Sequence, residues 1–252
     1  MEDQRKAAEE EDEEFNMIKK IIKTDDKVIF ISDMNLTLAN ALRRSANEIP
    51  ILAIDEVDIY KNDSTTYDEV LAHRMALIPL KNQKTKEGEF IELKLSVKAN
   101  NKQIEVLSGD FGEQSVIAGL PLTILDKDQE VEVVAKATQG KGIEHSKFSP
   151  GMVHYKILSK IDISKDAEKR QELALIYPEV FSMEAGKLTV KNDWKFDLDV
   201  EDLKEFEGVK VTPTDNIVYS IESWGQIPAD EIFEGAVKAL NKNLDEVAKA
   251  LK

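Results

Sequence analysis

Apolar positions along this chain follow two rhythms, and the change between them divides it. Between residues 36 and 49, Leu38, Ala41, Leu42, Ala46 and Ile49 recur at three- to four-residue spacing, the mark of one helix face. Asn35 stands where a helix cap belongs. Pro50 disfavours helical backbone at Ile49, so the helix is expected to stop there. A strand is expected on each side of it, Lys27 to Ser32 (KVIFIS) and Ile51 to Tyr60 (ILAIDEVDIY). A short helix is expected over Tyr67 to Met75. From about residue 89 the period drops to two. Ile91, Leu93, Leu95 and Val97 alternate with polar residues, and Ile104 with Val106 and Val131 with Val133 repeat the pattern. Such alternation belongs to an antiparallel sheet with one wet face. Gly140 and Gly142 punctuate its end, and Met152 to Leu158 (MVHYKIL) reads as a further strand.

Residues 165–176 read as helical. A hairpin turning at Ala185 and Gly186 follows, then a short acidic helix near 199–206, a linker at Val211 to Pro213 and a last strand at Asn216 to Ser223 (NIVYSIES). The final helix has the clearest pattern. Pro228 suits its start, and Asp230 and Glu231 suit its first turn. Phe233, Val237, Leu240, Leu244, Val247 and Leu251 then follow in steps of 4, 3, 4, 3 and 4, a short heptad seam. Ile232, Ala236 and Ala248 widen the stripe. The seam needs a cover, either the chain's own sheet or a neighbouring helix, and the stripe is wide enough to give one edge to each.

Composition narrows the chemistry. The 252 residues are 42% hydrophobic, enough for one large domain or two to three small ones. There is no cysteine, which excludes disulfides, thiolate catalysis, iron–sulfur clusters and cysteine-ligated zinc. The three histidines, His73, His145 and His154, are far apart, so no metal site and no cofactor are expected. No run approaches the roughly 18–20 apolar residues of a membrane span, and no secretory signal is visible. The expectation is a soluble, cytoplasmic protein. A net charge of −15 argues against nucleic-acid contact by the chain as a whole. Lys81, Lys84 and Lys86 form the one basic patch, which reads as a solvated loop. Residues 1–16 carry six consecutive acidic residues, Glu9 to Glu14, and read as a solvated tail. No phosphate loop, dinucleotide fingerprint, zincin motif or nucleophile elbow is present. With 49 Asp and Glu residues, chance carboxylate pairs are expected, and a hydrolase built on one is a rival without a motif. His73, beside Arg74 in AHRMALIPL, reads as a helix-end packing residue rather than a base.

Arg43 and Arg44 are two of only five arginines. Adjacent on a helix, they point about 100° apart and cannot share one target. In one reading an arginine stem covers the sheet edge. In the other the planar, permanently charged fork meets a partner's carboxylates.

Four segments carry a resemblance. LANALRRSANEIPILAIDEVDIYKN resembles the opening helix and strand of the alpha-like subunits of cellular RNA polymerases. AHRMALIPL is similar to their AHR-x-x-x-IPL segment. QGKGIEHSKFSPG is similar to their G-x-G-x-x-HAKW-SP segment, with Ser146 and Phe148 in place of Ala and Trp. NIVYSIESWGQIPADEIFEGAVKAL matches their last strand and helix, with the E-S-x-G turn intact. The matches are ordered along nearly the whole chain, and its short length resembles the archaeal D-type members.

The resemblance implies an α+β fold with a discontinuous sheet-plus-two-helix dimerisation domain, residues 17–57, 150–164 and 211–252. Residues 58–149 would be an inserted β-rich domain. It implies a non-catalytic assembly platform that pairs with subunit L through helices 36–49 and 228–251. Leu38, Leu42, Arg43, Arg44, Phe233, Val237, Leu240, Leu244 and Val247 would be the partner-facing residues, and His73, Arg74 and His145 motif residues with structural roles. Subunits N and P and the largest and second-largest catalytic subunits would be further partners. A homodimer like the bacterial alpha subunit is the other assembly mode.

Many family members carry a small ferredoxin-like insertion with a cysteine-ligated cluster. Here residues 165–210 lack every cysteine: Tyr177-Pro178 stands at the first position, and Phe196, Asp199 and Asp202 stand at the run. An aromatic ring and hard carboxylates cannot hold a soft cluster. The insertion is expected to fold by packing alone, around Leu175, Ile176, Val180, Phe181, Leu188, Val190, Trp194 and Leu198. A calcium-like site at Asp197, Asp199 and Asp202 is not favoured.

Overall fold

The computed structural model describes residues 18–86, 88–196 and 208–251. The acidic run Glu9 to Glu14, the acidic helix expected near 199–206, and Asp197, Leu198, Asp199 and Asp202 lie outside the described residues. Contacts divide the chain into two interleaved units. One comprises Ile22–Val28, Asn40–Val153 and Ile221–Lys252. The other comprises Ile29–Ala39 and His154–Ser220, with the start of the chain through Ile21. The class is mixed α+β, and the cuts fall at other places than the boundaries expected from sequence.

Helix α1, Leu36–Ser45, begins as its sequence dictates, because the Asn35 side chain accepts the Leu38 backbone N–H at 2.8 Å. It tightens into a 3-10 turn over Ala46–Glu48, and Ile49 before the proline is extended (φ −70°, ψ 125°). That is the stop Pro50 imposes.

In the larger unit, β3 (Pro50–Asn62) pairs antiparallel with β7 (Glu130–Lys141), and β7 with β4 (Ile91–Lys98), in the order β3-β7-β4. β4 and β7 alternate as expected, β4 burying Leu93 and Leu95 between exposed neighbours, whereas β3 begins with four consecutive buried residues, Ile51 to Ile54. A single sheet was expected, yet β5 (Ile104–Leu107) pairs with β6 (Pro121–Leu125) in a sheet of its own. Period-two patterning fixes which face is wet but not which strand is the neighbour. Helix α2, Asp68–Ala76, turns Leu71 and Met75 inward. One core joins these parts, centred on Leu52, Ile54, Met75, Leu80, Leu95 and Leu125. Leu52 and Ile54 share it with residues of 58–149, so β3 runs unbroken across the boundary expected at residue 57.

In the other unit most of each strand lies in a four-stranded sheet of order β1-β2-β11-β8, formed by β1 (Ile18–Lys23), β2 (Lys27–Ser32), β11 (Val209–Ser223) and β8 (Gly151–Ile163). Tyr219 stacks between Phe30 and Tyr155, with ring centroids 5.3 and 6.3 Å away. The expected linker at Val211 to Pro213 is strand instead. Proline cannot donate to a ladder, and the next side chain supplies a bond there: the Thr214 hydroxyl donates to the Leu158 carbonyl at 2.7 Å.

The segment after β8 holds α3 (Gln171–Ile176) and the hairpin of β9 (Phe181–Glu184) and β10 (Lys187–Val190). Ala185 and Gly186 both have positive φ, 49° and 78°, the geometry that closes a two-residue hairpin. The helix expected over 165–176 is shorter, and this changes its inward face. Leu173 is fully buried, with Ala174 and Tyr177 packed around the same core, whereas Leu175 and Ile176 are 78% and 55% exposed. These two therefore leave the expected core; Ile161, Leu173 and Phe196 join Val180, Phe181 and Leu188 in it. Leu173→Ala is expected to destabilise the chain by about 3 kcal/mol, read from chemical denaturation.

Candidate functional site

The final helix, α4 (Ala229–Ala250), is fixed at its start and released at its end. The Ala229 backbone N–H donates to the Asp25 carbonyl at 2.7 Å, and Ser223 N–H donates to the Asp26 carbonyl at 2.8 Å. Lys23 pairs with Asp230 at 2.6 Å. The ammonium beside it holds the Asp230 carboxyl below its ordinary value, and hydrogen bonding to that carboxylate raises Lys23. An acidic residue in the first helical turn is favoured by the backbone dipole as well.

Along α4 the buried row is Ala229, Ile232 and Ala236, the edge that widens the stripe rather than the seam itself. Gly235 passes so close to Ile49 that a Cβ there would lie 2.7 Å from its Cδ1. The seam residues sit beside this row. Phe233, Val237 and Leu240 are half-buried. Leu244, Val247 and Leu251 are 58%, 57% and 83% exposed. So the chain covers one edge of the stripe and leaves the other bare, most of all over the last two turns. Asn243 holds the helix at the point of change, its amide donating to Glu48 Oε1 at 2.7 Å.

Helix α1 offers a second set. Leu36 and Leu38 are exposed, while Leu42 is buried within the chain. Leu42, expected to face a partner, therefore supports the helix from inside. Arg43 is half-buried and donates twice to Asn40 Oδ1, at 3.2 and 3.0 Å. Arg44 is exposed and has no hydrogen bond or ion pair among the described residues. The adjacent arginines thus divide as their 100° separation requires: one is used internally and the other is presented.

Two of the three remaining motif residues hold backbone in place. Arg74 Nη1 donates to the Leu122 carbonyl at 2.8 Å, and His145 Nδ1 accepts the Lys147 N–H at 3.1 Å. His73 is exposed. Around Asn47 the motif segments converge. Ser149 donates to Asn47 Oδ1 at 3.1 Å, and Ile143 N–H donates to the Asn47 carbonyl at 3.1 Å. A Cβ on Gly142 would lie 2.8 Å from the same side chain, and one on Gly140 2.5 Å from the Phe148 ring. Gln226, after the E-S-x-G turn, donates to the Leu52 carbonyl at 3.3 Å. Asn47, Glu48, Gln226 and Asn243 were not singled out from sequence. A polar residue on the inward row of an amphipathic helix was the available signal for Asn243, which lies two turns beyond Ala236.

Tyr177 and Phe196 pack in the small core of the other unit, Phe196 buried and Tyr177 partly so. Among the described residues no group of three or more His, Asp or Glu side chains is placed to hold a metal ion, and no helix is long and apolar enough to cross a membrane.

A helix that covers one edge of an apolar stripe and leaves the other bare is what a dimerisation domain presents, and comparison with known proteins decides which one. The model of the RNA polymerase Rpb3/Rpb11 dimerisation domain matches residues 28–244. The chain belongs to that family. A protein of Pyrococcus horikoshii named DNA-directed RNA polymerase subunit Rpo3 is 32% identical, over 93% of this chain and 97% of its own. The Rpo3 subunit of Thermococcus kodakarensis is 30% identical over 94% of this chain and 97% of its own. Similarity reaches a plant protein, subunit 3 of DNA-directed RNA polymerases II, IV and V of Arabidopsis thaliana, 26% identical over 90% of this chain and 88% of its own. The family match runs from β2 into α4 and so includes most of the half-covered stripe.

Proposed function

We propose that this chain is the non-catalytic assembly-platform subunit of an archaeal-type DNA-directed RNA polymerase, acting in the cytoplasm. It heterodimerises with an L-type subunit, and the pair docks the largest and second-largest catalytic subunits. Small subunits of the N and P type bind the β-rich region, residues 58–149. In this reading residues 17–57, 150–164 and 211–252 make the assembly part, and 165–210 is an insertion that has dispensed with a cluster. Arg44 is the presented member of the arginine pair and meets a carboxylate of a large subunit.

The observation that carries the reading is the seam on α4, whose outer residues Leu244, Val247 and Leu251 are bare within a chain of a dimerisation family. Bare leucine and valine at heptad spacing gain most by packing against a second helix. Co-expression with an L-type subunit, followed by size exclusion with light scattering, tests it. A one-to-one complex is expected; a chain that stays monomeric, or that pairs only with itself, opposes it. Elemental analysis of the purified chain is expected to find neither iron nor zinc in stoichiometric amount, since the chain has no thiolate to hold them.

A further inference from the structure

Asn243 is the last residue of α4 joined by a hydrogen bond to another element among the described residues. From Leu244 to Leu251 every residue is exposed, and the one side-chain bond reaching into this stretch, Lys242 with Glu246, stays within the helix. The final two turns are therefore a cantilever that leaves the unit at Asn243. At 1.5 Å per residue Leu251 lies about 12 Å beyond that point, so a tilt of about 20° there moves it by about 4 Å. A displacement of that size takes a knob out of its hole.

Two features make the Glu48–Asn243 bond the natural control of that tilt. First, it is set opposite a close contact. About two turns earlier α4 rests on Ile49 through Gly235, which gives a fulcrum, and the Glu48 carboxylate, from the same 3-10 turn region, gives the restraint beyond it. Second, among the described residues beyond Gly235 no other side-chain hydrogen bond or ion pair joins the helix to another element. The space beside the bond is an open groove bordered by Glu48, Pro50, Lys141, Ala239, Lys242 and Glu246, which leaves room for the end of the helix to move once the bond is lost.

We propose that Glu48 and Asn243 are positioning residues: their hydrogen bond sets the angle at which α4 presents Leu244, Val247 and Leu251 to a partner helix. The proposal rests on the partner reading above. It assigns the bond a role in preorganisation, the saving of ordering cost before association, and not in contact with the partner.

A swap of the two side chains tests it in the full chain, with affinity for a purified L-type subunit measured by calorimetry. Glu48→Ala removes the acceptor and is expected to weaken binding about tenfold. Glu48→Gln keeps an acceptor and is expected to bind within about threefold of the parent. Asn243→Asp sets two carboxylates together and is expected to weaken binding more than Glu48→Ala does. The double variant Glu48→Gln, Asn243→Asp restores donor and acceptor in reverse order and is expected to recover binding to within about threefold. A partner contact made by Asn243 itself could not be rescued from position 48, so a double variant as weak as Asn243→Asp overturns the proposal, as does parent-like binding by Glu48→Ala. Amide exchange over residues 240–250 of the isolated chain gives a second readout that needs no partner. It is expected to be about tenfold faster in Glu48→Ala and Asn243→Asp and restored in the double variant; unchanged exchange in both single variants overturns the proposal. If the parent chain fails to bind the L-type subunit, the partner reading falls, while the exchange data still decide what the hydrogen bond does.

Discussion

Leu244→Asp combined with Val247→Asp abolishes pairing with an L-type subunit and leaves the fold of the isolated chain intact. Both side chains are more than half exposed, so in the free chain each aspartate replaces a wet apolar group and costs little. In the complex each would stand unpaired in a dry seam, where an uncompensated charge is strongly destabilising. Central apolar residues of such interfaces commonly contribute about 2 kcal/mol or more each, so the pair together should lower affinity by about a thousandfold or more. Leu240→Asp is a weaker test, because Leu240 is already half-buried in the chain itself and its loss would mix unfolding with loss of pairing. The check is size exclusion of the mixed subunits beside a melting curve of each variant alone. Unchanged pairing by the double variant would remove the seam from the interface.

Gly151→Ala should cost more stability than the same change at any other glycine of this chain. Gly151 opens β8 directly opposite the end of β11, and a Cβ on it would lie 2.1 Å from the Glu222 carbonyl oxygen. The obstacle is backbone, which cannot swing aside as a side chain does. The two strand ends would have to part, and the neighbouring bonds, Ser149 to the Gly151 carbonyl at 3.0 Å and Trp224 N–H to the Pro150 carbonyl at 3.2 Å, would be strained with them. Forced overpacking of this kind costs about 3 kcal/mol, or a fall on the order of 10 °C in melting temperature for a chain of this size. Gly119→Ala, where nothing lies within 4 Å of the added methyl, is the control and should melt close to the parent. Equal melting of the two variants would contradict the close approach.

Particular residues show how much of this was legible beforehand. The start and stop of α1 were written in Asn35 and Pro50, because caps and prolines act through local backbone chemistry. The hairpin at Ala185 and Gly186 was legible for the same reason. The strand through Pro213 was not: a proline is a local signal against a ladder, and the Thr214 hydroxyl that supplies a bond there reaches Leu158, 56 residues away. The small core was half legible. Val180, Phe181 and Leu188 were recognisable as hairpin residues, but which of Leu173, Leu175 and Ile176 points inward depends on where α3 begins, and periodicity does not fix that to one residue.

The candidate site divides in the same way. The heptad steps from Phe233 to Leu251 located the stripe, since its spacing is a property of one helix. They did not say that Ile232 and Ala236 would be the covered edge, nor that Leu42 would be consumed by the chain's own packing. Those outcomes belong to tertiary packing between residues far apart in sequence, such as the close approach of Gly235 to Ile49. The arginine pair was legible only as a question. Asn40, three residues before Arg43, settles half of it by accepting both of that side chain's hydrogen bonds.

A native mass measurement of the chain mixed with an equimolar L-type subunit tests the central claim most directly. The account predicts a single species with the summed mass of one copy of each chain, and its loss with the Leu244 and Val247 aspartates. A free 28.4 kDa chain persisting beside an unbound partner, or a homodimer that ignores it, would contradict the account.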